Sequence, residues 1–262
     1  MTEIKTVKFE SFHMDYFSFG NGDKAFVIVP GMSLKSVMLS ADAIEAAYSC
    51  FTDEYTVYVF DYASVIKPSY SVTDMADDLA MAMRVLDICD AYMFGASLGG
   101  MVIQYLAIRH SELVHKMVLA SSMARQNDHS RTMMKHWKEL ALAGEVVELN
   151  RDMREHIYGD DYLATWHDAF VAIEADATPE ELKRLAAMID ICLAFDAYSD
   201  LGKIHCLVLV IGSNDDRALT PDASYELADK LDCPIIMYDG YGHAVYDEAP
   251  DYKGHLLDFY KE

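Results

Sequence analysis

Basic residues are scarce in this chain. Twenty-one Lys and Arg stand against 43 Asp and Glu, a formal net charge of -22 over 262 residues. Such a surface repels polyanions, which sets nucleic acid and anionic membranes aside as partners. Cysteine is sparse too: five residues, at 50, 89, 192, 206 and 233, widely spaced and with no CxxC pair. An odd, scattered set does not make a disulfide framework. Cys50, Cys89 and Cys206 adjoin apolar runs and are expected to be buried free thiols in a reducing compartment. The opening MTEIKTVKFE carries no apolar signal core, and a cytoplasmic protein is expected. One uncharged stretch, 91–108, is long enough to raise the question of a membrane span. It holds Gly95, Ser97, Gly99, Gly100 and Gln104 and changes periodicity midway, so a buried strand feeding a buried helix explains it better. Internal repeats and low-complexity tracts are absent, and His110 and His115 do not form the HExxH of a zinc protease.

What is present is apolar. Hydrophobic residues make up 52% of the chain, enough for one large core with a smaller subdomain attached. Residues 4–10 and 12–19 alternate like paired antiparallel strands. Continuously apolar runs follow at 25–30, 55–60, 91–96, 116–121, 207–212 and 234–239, the pattern of strands buried on both faces of a parallel sheet. Helical patterning separates them at 74–89 (with Thr73 as N-cap), 98–110, 222–232 and 247–261, which together give an α/β architecture. The alternation breaks over 122–205. This stretch is helical throughout, and Thr178-Pro-Glu-Glu181 is a helix start with its N-cap, its proline and its acidic first turn in order. The expected organisation is a core of 1–121 and 206–262, with 122–205 inserted as a helical cap after the sixth strand.

Phe94-Gly-Ala-Ser-Leu-Gly-Gly100 places a serine between glycines where a strand meets a helix. In that context a G-x-S-x-G turn exposes one nucleophile above the carboxyl edge of the sheet. A serine needs a base. Of ten histidines, nine lie in helix or strand patterns. His243 instead follows Asp239-Gly-Tyr-Gly, directly after the last strand, where loops carry function. The imidazole needs an acid to hold its tautomer, and Asp216, in Gly212-Ser-Asn-Asp-Asp216 at the tip of another strand, is the candidate, with Asp215 in competition. An oxyanion needs aimed donors: the N–H of Leu98, at the start of its helix, and the N–H of Met32, in Pro30-Gly31-Met32.

These residues resemble the α/β-hydrolase fold, of the small type with a helical lid: Ser97 in GASLGG, PGM at 30–32, Asp216 in GSNDD, and His243 in GYGHAVYDEAP. The resemblance spans about residues 20–260 outside the lid. It implies a mainly parallel eight-stranded sheet flanked by helices, no cofactor, and acyl-transfer hydrolysis. Two departures stand out. Pro30-Gly31 replaces the His-Gly of many relatives, and Asp61-Tyr-Ala-Ser-Val-Ile replaces their Arg-Gly-x-Gly turn. The cap is rich in Met and aromatic residues, as suits an adaptable apolar pocket, and no arginine cluster marks a phosphate clamp. Met32, Met123 and Trp137 are the candidate substrate contacts. The expected activity is serine hydrolysis of a small, mostly apolar ester, thioester or amide, with no metal involved. Carbon–carbon bond hydrolysis or perhydrolysis by the same triad, and a non-catalytic binding protein on this scaffold, are the alternatives. Lids of this kind sometimes pair, so a homodimer is among the expectations.

Overall fold

The computed structural model describes residues 1–67 and 69–261. Eight strands form one sheet: β1 (Lys5–Lys8), β2 (His13–Phe19), β3 (Lys24–Val29), β4 (Tyr55–Phe60), β5 (Ala91–Ala96), β6 (Val114–Ala120), β7 (Leu207–Ser213) and β8 (Ile235–Tyr238). Their order is β1-β2-β4-β3-β5-β6-β7-β8. The β1/β2 and β2/β4 pairs are antiparallel, and every other pair is parallel. The sheet is therefore mainly parallel, and its parallel strands end at one edge.

Continuous apolar runs are needed because both faces of this sheet are covered. Successive side chains of a strand point to opposite faces. Phe26 and Ile28 of β3 accordingly join one cluster with Phe94, Val118 and Ile211, while Val27 and Val29 join the other with Met93, Leu119 and Val210. Each large side chain buried in this way contributes about 1.5–3 kcal/mol.

The helices are α1 (Ala41–Ala47), α2 (Val72–Val85), α3 (Leu98–Arg109), α4 (Asp128–Ala143), α5 (Val146–Ile157), α6 (Asp160–Thr165), α7 (His167–Ile173), α8 (Pro179–Leu193), α9 (Pro221–Leu231), α10 (Val245–Glu248) and α11 (Tyr252–Lys261). Met75, Leu79 and Met83 of α2 and Met101, Val102 and Leu106 of α3 cover one face of the sheet, whereas Tyr252, Leu256 and Tyr260 of α11 cover the other. The five helices α4–α8 all lie between β6 and β7.

Several local expectations need correction. The second helix is capped by Ser71, not Thr73: the Asp74 N–H donates to Ser71 Oγ at 3.2 Å, and the Asp74 carboxylate accepts from the Ser71 N–H at 2.8 Å. This reciprocal capping box satisfies two donors at once, which a cap at Thr73 would not. The helix expected over 247–261 is two helices, because Pro250 lacks the N–H that continuity requires. Cys50 and Cys89 are exposed and Cys206 is partly so, leaving Cys192 as the one buried thiol among the five. Cys50 lies in a short helical turn and Cys89 in the turn before β5, so neighbouring apolar runs did not bury them. Thr178 does cap α8, with Pro179 in the first turn and Glu181 closing the box.

The join between β5 and α3 is tight. A Cβ on Gly99 would lie 2.0 Å from the Val29 carbonyl oxygen, and one on Gly95 would lie 2.6 Å from that of Gly99. Backbone cannot yield as a side-chain tip can. Gly99→Ala is expected to destabilise the fold by about 2–3 kcal/mol, read as a lower midpoint in urea denaturation.

Candidate active site

Ser97 occupies the turn between β5 and α3 with φ 51° and ψ -114°. A non-glycine residue in this region costs about 1–3 kcal/mol and persists only where its surroundings hold it. Two hydrogen bonds do so: the Ser97 N–H donates to the Ala120 carbonyl at 2.8 Å, and Ser122 Oγ donates to the Ser97 carbonyl at 2.9 Å. Gly95 and Gly99 let strand and helix close around the turn, and the serine side chain is left facing a cavity beyond the sheet edge.

Two loops from neighbouring strands meet opposite it. Asp216 follows β7. Its Oδ1 accepts the N–H groups of Ala218 at 2.8 Å and Leu219 at 2.9 Å, which fixes the carboxylate plane. Its Oδ2 faces Nδ1 of His243, after β8, at 2.8 Å. Both residues are buried, at 5% and 4% exposure. Burial opposes ionisation of Asp216, yet the His243 ring and the two backbone donors hold its carboxyl below the usual carboxylate range. With the carboxylate ionised, Nδ1 carries the proton and Nε2 is left as an acceptor.

Asp215 has different work. Its carboxylate accepts the Gly240 N–H at 2.6 Å, while its own N–H donates to Ser213 Oγ at 3.0 Å. Ser213 Oγ in turn donates to the Tyr241 carbonyl at 2.5 Å. Asp215 thus zips the two loops together, and Asp216 is the residue that meets the ring.

Ser97 and His243 line one cavity of about 40 Å³, space for a few waters or a short acyl group. Met133 and Trp137, four apart on α4, and Met153 and Ile157, four apart on α5, form much of its wall. Trp137 is thus placed at the cavity, with its indole N–H donated to Asp152 at 2.6 Å. Met32 lines it from the loop after β3. Leu98 is the first residue of α3, so its N–H has no acceptor within the helix.

Met123 is not in the cavity lining. It is fully buried in the core, and its carbonyl accepts the Gln104 side chain at 3.0 Å. Being early in the inserted segment, it packs beneath it. The sequence reading missed Ile157, Ala218, Leu219 and Tyr246 as lining residues. Tyr246 was within reach of a spacing argument, since it lies three residues after His243 at the start of α10. Leu219 and Ala218 follow the Asp216 turn and carried no signal of their own.

The inserted helices are fastened to these same loops. The Glu248 carboxylate accepts the Gly242 N–H and the Gly159 N–H, each at 3.0 Å. The Ala244 N–H donates to the Ile157 carbonyl at 2.8 Å. Arg217, next to Asp216, pairs with Asp160 at 2.5 Å. A Cβ on Gly242 would stand 2.5 Å from the Tyr158 carbonyl carbon, so glycine is required where the two segments touch.

The lowered value of Asp216 fixes a sign. Its ionised form stabilises the folded chain above the ordinary Asp value of about 3.9, and that stabilisation is lost as pH falls through the folded value. The melting-temperature deficit of Asp216→Asn should therefore be largest near neutrality and shrink as pH is lowered from about 6 to about 3, in parallel thermal melts of variant and wild type.

The sequence matches the alpha/beta hydrolase family over residues 26–252. A protein of Pseudomonas syringae pv. syringae (strain B728a), named "Putative carbamate hydrolase RutD", is 29% identical over 206 residues, covering 74% of this chain and 78% of that one. The crystal structure of MGS-M2, an alpha/beta hydrolase enzyme from a Medee basin deep-sea metagenome library, superposes with a TM-score of 0.88 at 21% identity over 98% of each chain. That of the enol-lactonase from Burkholderia xenovorans LB400 gives 0.84 at 20% identity, covering 98% of this chain and all of that one. The family match over residues 26–252, most of the chain, makes it a member of the alpha/beta hydrolase family, and the mainly parallel eight-stranded sheet fits that fold.

Proposed function

We propose that this protein is a serine hydrolase that cleaves small, mostly apolar and uncharged esters, thioesters or amides, carbamates among them, through an acyl-enzyme on Ser97. One observation carries the proposal: a strained, half-buried serine and a histidine hydrogen-bonded to a buried aspartate line the same small apolar cavity. His243 takes the Ser97 proton as the oxygen attacks the carbonyl carbon. The N–H groups of Met32 and Leu98 hold the oxygen that becomes negative. Asp216 steadies the imidazolium, which then gives its proton to the leaving group. Water, deprotonated by His243, releases the acyl group.

The cavity wall supports the substrate class. Its described lining carries no Lys, Arg, Asp or Glu, so a charged acyl chain would be desolvated without a partner. Its small volume favours short acyl groups. The carbamate hydrolase name of the Pseudomonas relative fits a short acyl group bearing nitrogen.

Ser97→Ala should lower turnover of a short-chain nitrophenyl ester by on the order of 10⁴-fold and abolish labelling by a fluorophosphonate probe. Normal turnover by that variant would overturn the proposal, and a folded wild type that neither labels nor hydrolyses would favour a binding protein. Asp216→Asn should cost on the order of 10³–10⁴-fold in kcat, whereas Asp215→Asn should stay within about tenfold of wild type. Steady-state kinetics on the two variants check the ranking. An acyl-length series should show kcat/KM falling from acetyl and propionyl towards octanoyl.

A further inference from the structure

We propose that the Tyr246 hydroxyl is a third donor to the oxyanion, acting beside the backbone N–H groups of Met32 and Leu98. This inference rests on the serine-hydrolase reading above.

Tyr246 sits in α10, three residues after His243. Its ring is held edge-on by Phe94, with centroids 6.0 Å apart, and by Tyr252 at 6.4 Å. Packing on two sides leaves the ring little freedom. Its hydroxyl oxygen lies 3.8 Å from the point where Gly31 would carry a Cβ, and that same point is 3.4 Å from the Ser97 Cβ. The phenol oxygen is therefore on the side of Ser97 where the loop after β3 passes, the side assigned to the developing negative charge.

Among the described residues, Tyr246 is one of three with a polar side-chain atom left to offer a substrate at this cavity. The indole N–H of Trp137 is already given to Asp152, and the remaining lining side chains are apolar. Ser97 and His243 are taken up by the chemistry. The Tyr246 hydroxyl, by contrast, has no hydrogen-bond partner among the described residues. Tyr246 is half-buried and lines the cavity, so its O–H is free to donate there, and a tetrahedral oxyanion would accept it. Burial, with the Asp247 carboxylate and then Tyr158, Tyr48 and Asp216 nearby, pushes the phenol well above its ordinary value. The group is thus protonated at any working pH and serves as a donor.

The step balances without a proton from Tyr246. The Ser97 oxygen forms a bond to the carbonyl carbon while its proton moves to His243 Nε2. The carbonyl π pair moves onto oxygen, and the Tyr246 O–H donates to that oxygen while keeping its own proton. When the tetrahedral intermediate collapses, the pair returns and the leaving group departs with the proton from His243. The phenol thus binds the transition state more tightly than the ground state, which is the condition for raising kcat.

The test uses the full chain, a short-chain nitrophenyl ester and an alkyl boronic acid, whose tetrahedral adduct on Ser97 places an oxygen where the oxyanion forms. Tyr246→Phe removes one atom and keeps the ring packing. It should lower kcat and kcat/KM together by on the order of 10²-fold, leave KM nearly unchanged, and weaken boronic acid binding by a similar factor at an unchanged melting temperature. A kcat within twofold of wild type overturns the role, as does a loss of kcat with boronic acid affinity intact, which marks a purely structural part. Should Tyr246→Phe prove unstable, Tyr246→Leu, smaller and likewise without a donor, takes its place, and the same boronic acid comparison decides. In each arm Ser97→Ala is run alongside: if it abolishes turnover while Tyr246→Phe does not slow it, only the tyrosine assignment fails; if Ser97→Ala is active, the underlying reading fails with it.

Discussion

A buried hydrogen bond between a carboxylate and an imidazole, Asp216 to His243 at 2.8 Å, is the contact around which this molecule is arranged. Taking a carboxylate out of water is expensive unless its lone pairs are met. Here one oxygen is met by two backbone N–H groups and the other by the ring. The pair therefore sits in a fixed geometry that no exposed ion pair would hold. The surrounding loops are stitched by Asn214 to Asp239, by Asp215 to Gly240 and by Ser213 to Tyr241, so the acid and the base arrive as one unit.

That unit depends in turn on the sheet. Parallel strands deliver their carboxyl ends to one edge, where open α/β sheets gather their sites. Residues 97, 216 and 243 come from three such ends, after β5, β7 and β8. The sheet offers a rigid frame because both faces are packed with large side chains, as Phe26 and Val27 show on opposite sides of β3. Membership of the alpha/beta hydrolase family is shown by the match over residues 26–252, and the helices between β6 and β7 add Met133, Trp137, Met153 and Ile157 to the cavity wall.

Much of this was legible in the residues. Apolar runs named all six parallel strands: the interior ones because burial on both faces leaves little room for polar alternation, and β8 although it is a half-buried edge strand. The elbow at Ser97 was readable because only glycines tolerate a carbonyl oxygen so near, as at Gly99 beside Val29. His243 stood out by its place in a turn. Legibility failed where several positions satisfied the same local rule. Thr73 satisfies the N-cap rule by type, but Ser71 takes the position, accepting the Asp74 N–H and donating its own N–H back to the Asp74 carboxylate. Asp215 and Asp216 compete for the place beside the imidazole, and there the reading in favour of Asp216 agrees with the side-chain directions: Asp216 faces the His243 ring, while Asp215 accepts the Gly240 N–H. The cavity wall was harder still. Met123 and Met133 are alike in composition, yet one packs beneath the inserted helices and the other faces the cavity, a difference set by tertiary packing rather than by periodicity.

The Glu248 carboxylate grips Gly242 and Gly159 together, so the loop bearing His243 and the segment around the end of α5 share one anchor. The Ala244 N–H, given to the Ile157 carbonyl, is a second tie between the same two segments. A change of position in either one is thereby passed to the other, and the placement of the imidazole depends on helices distant from it in sequence.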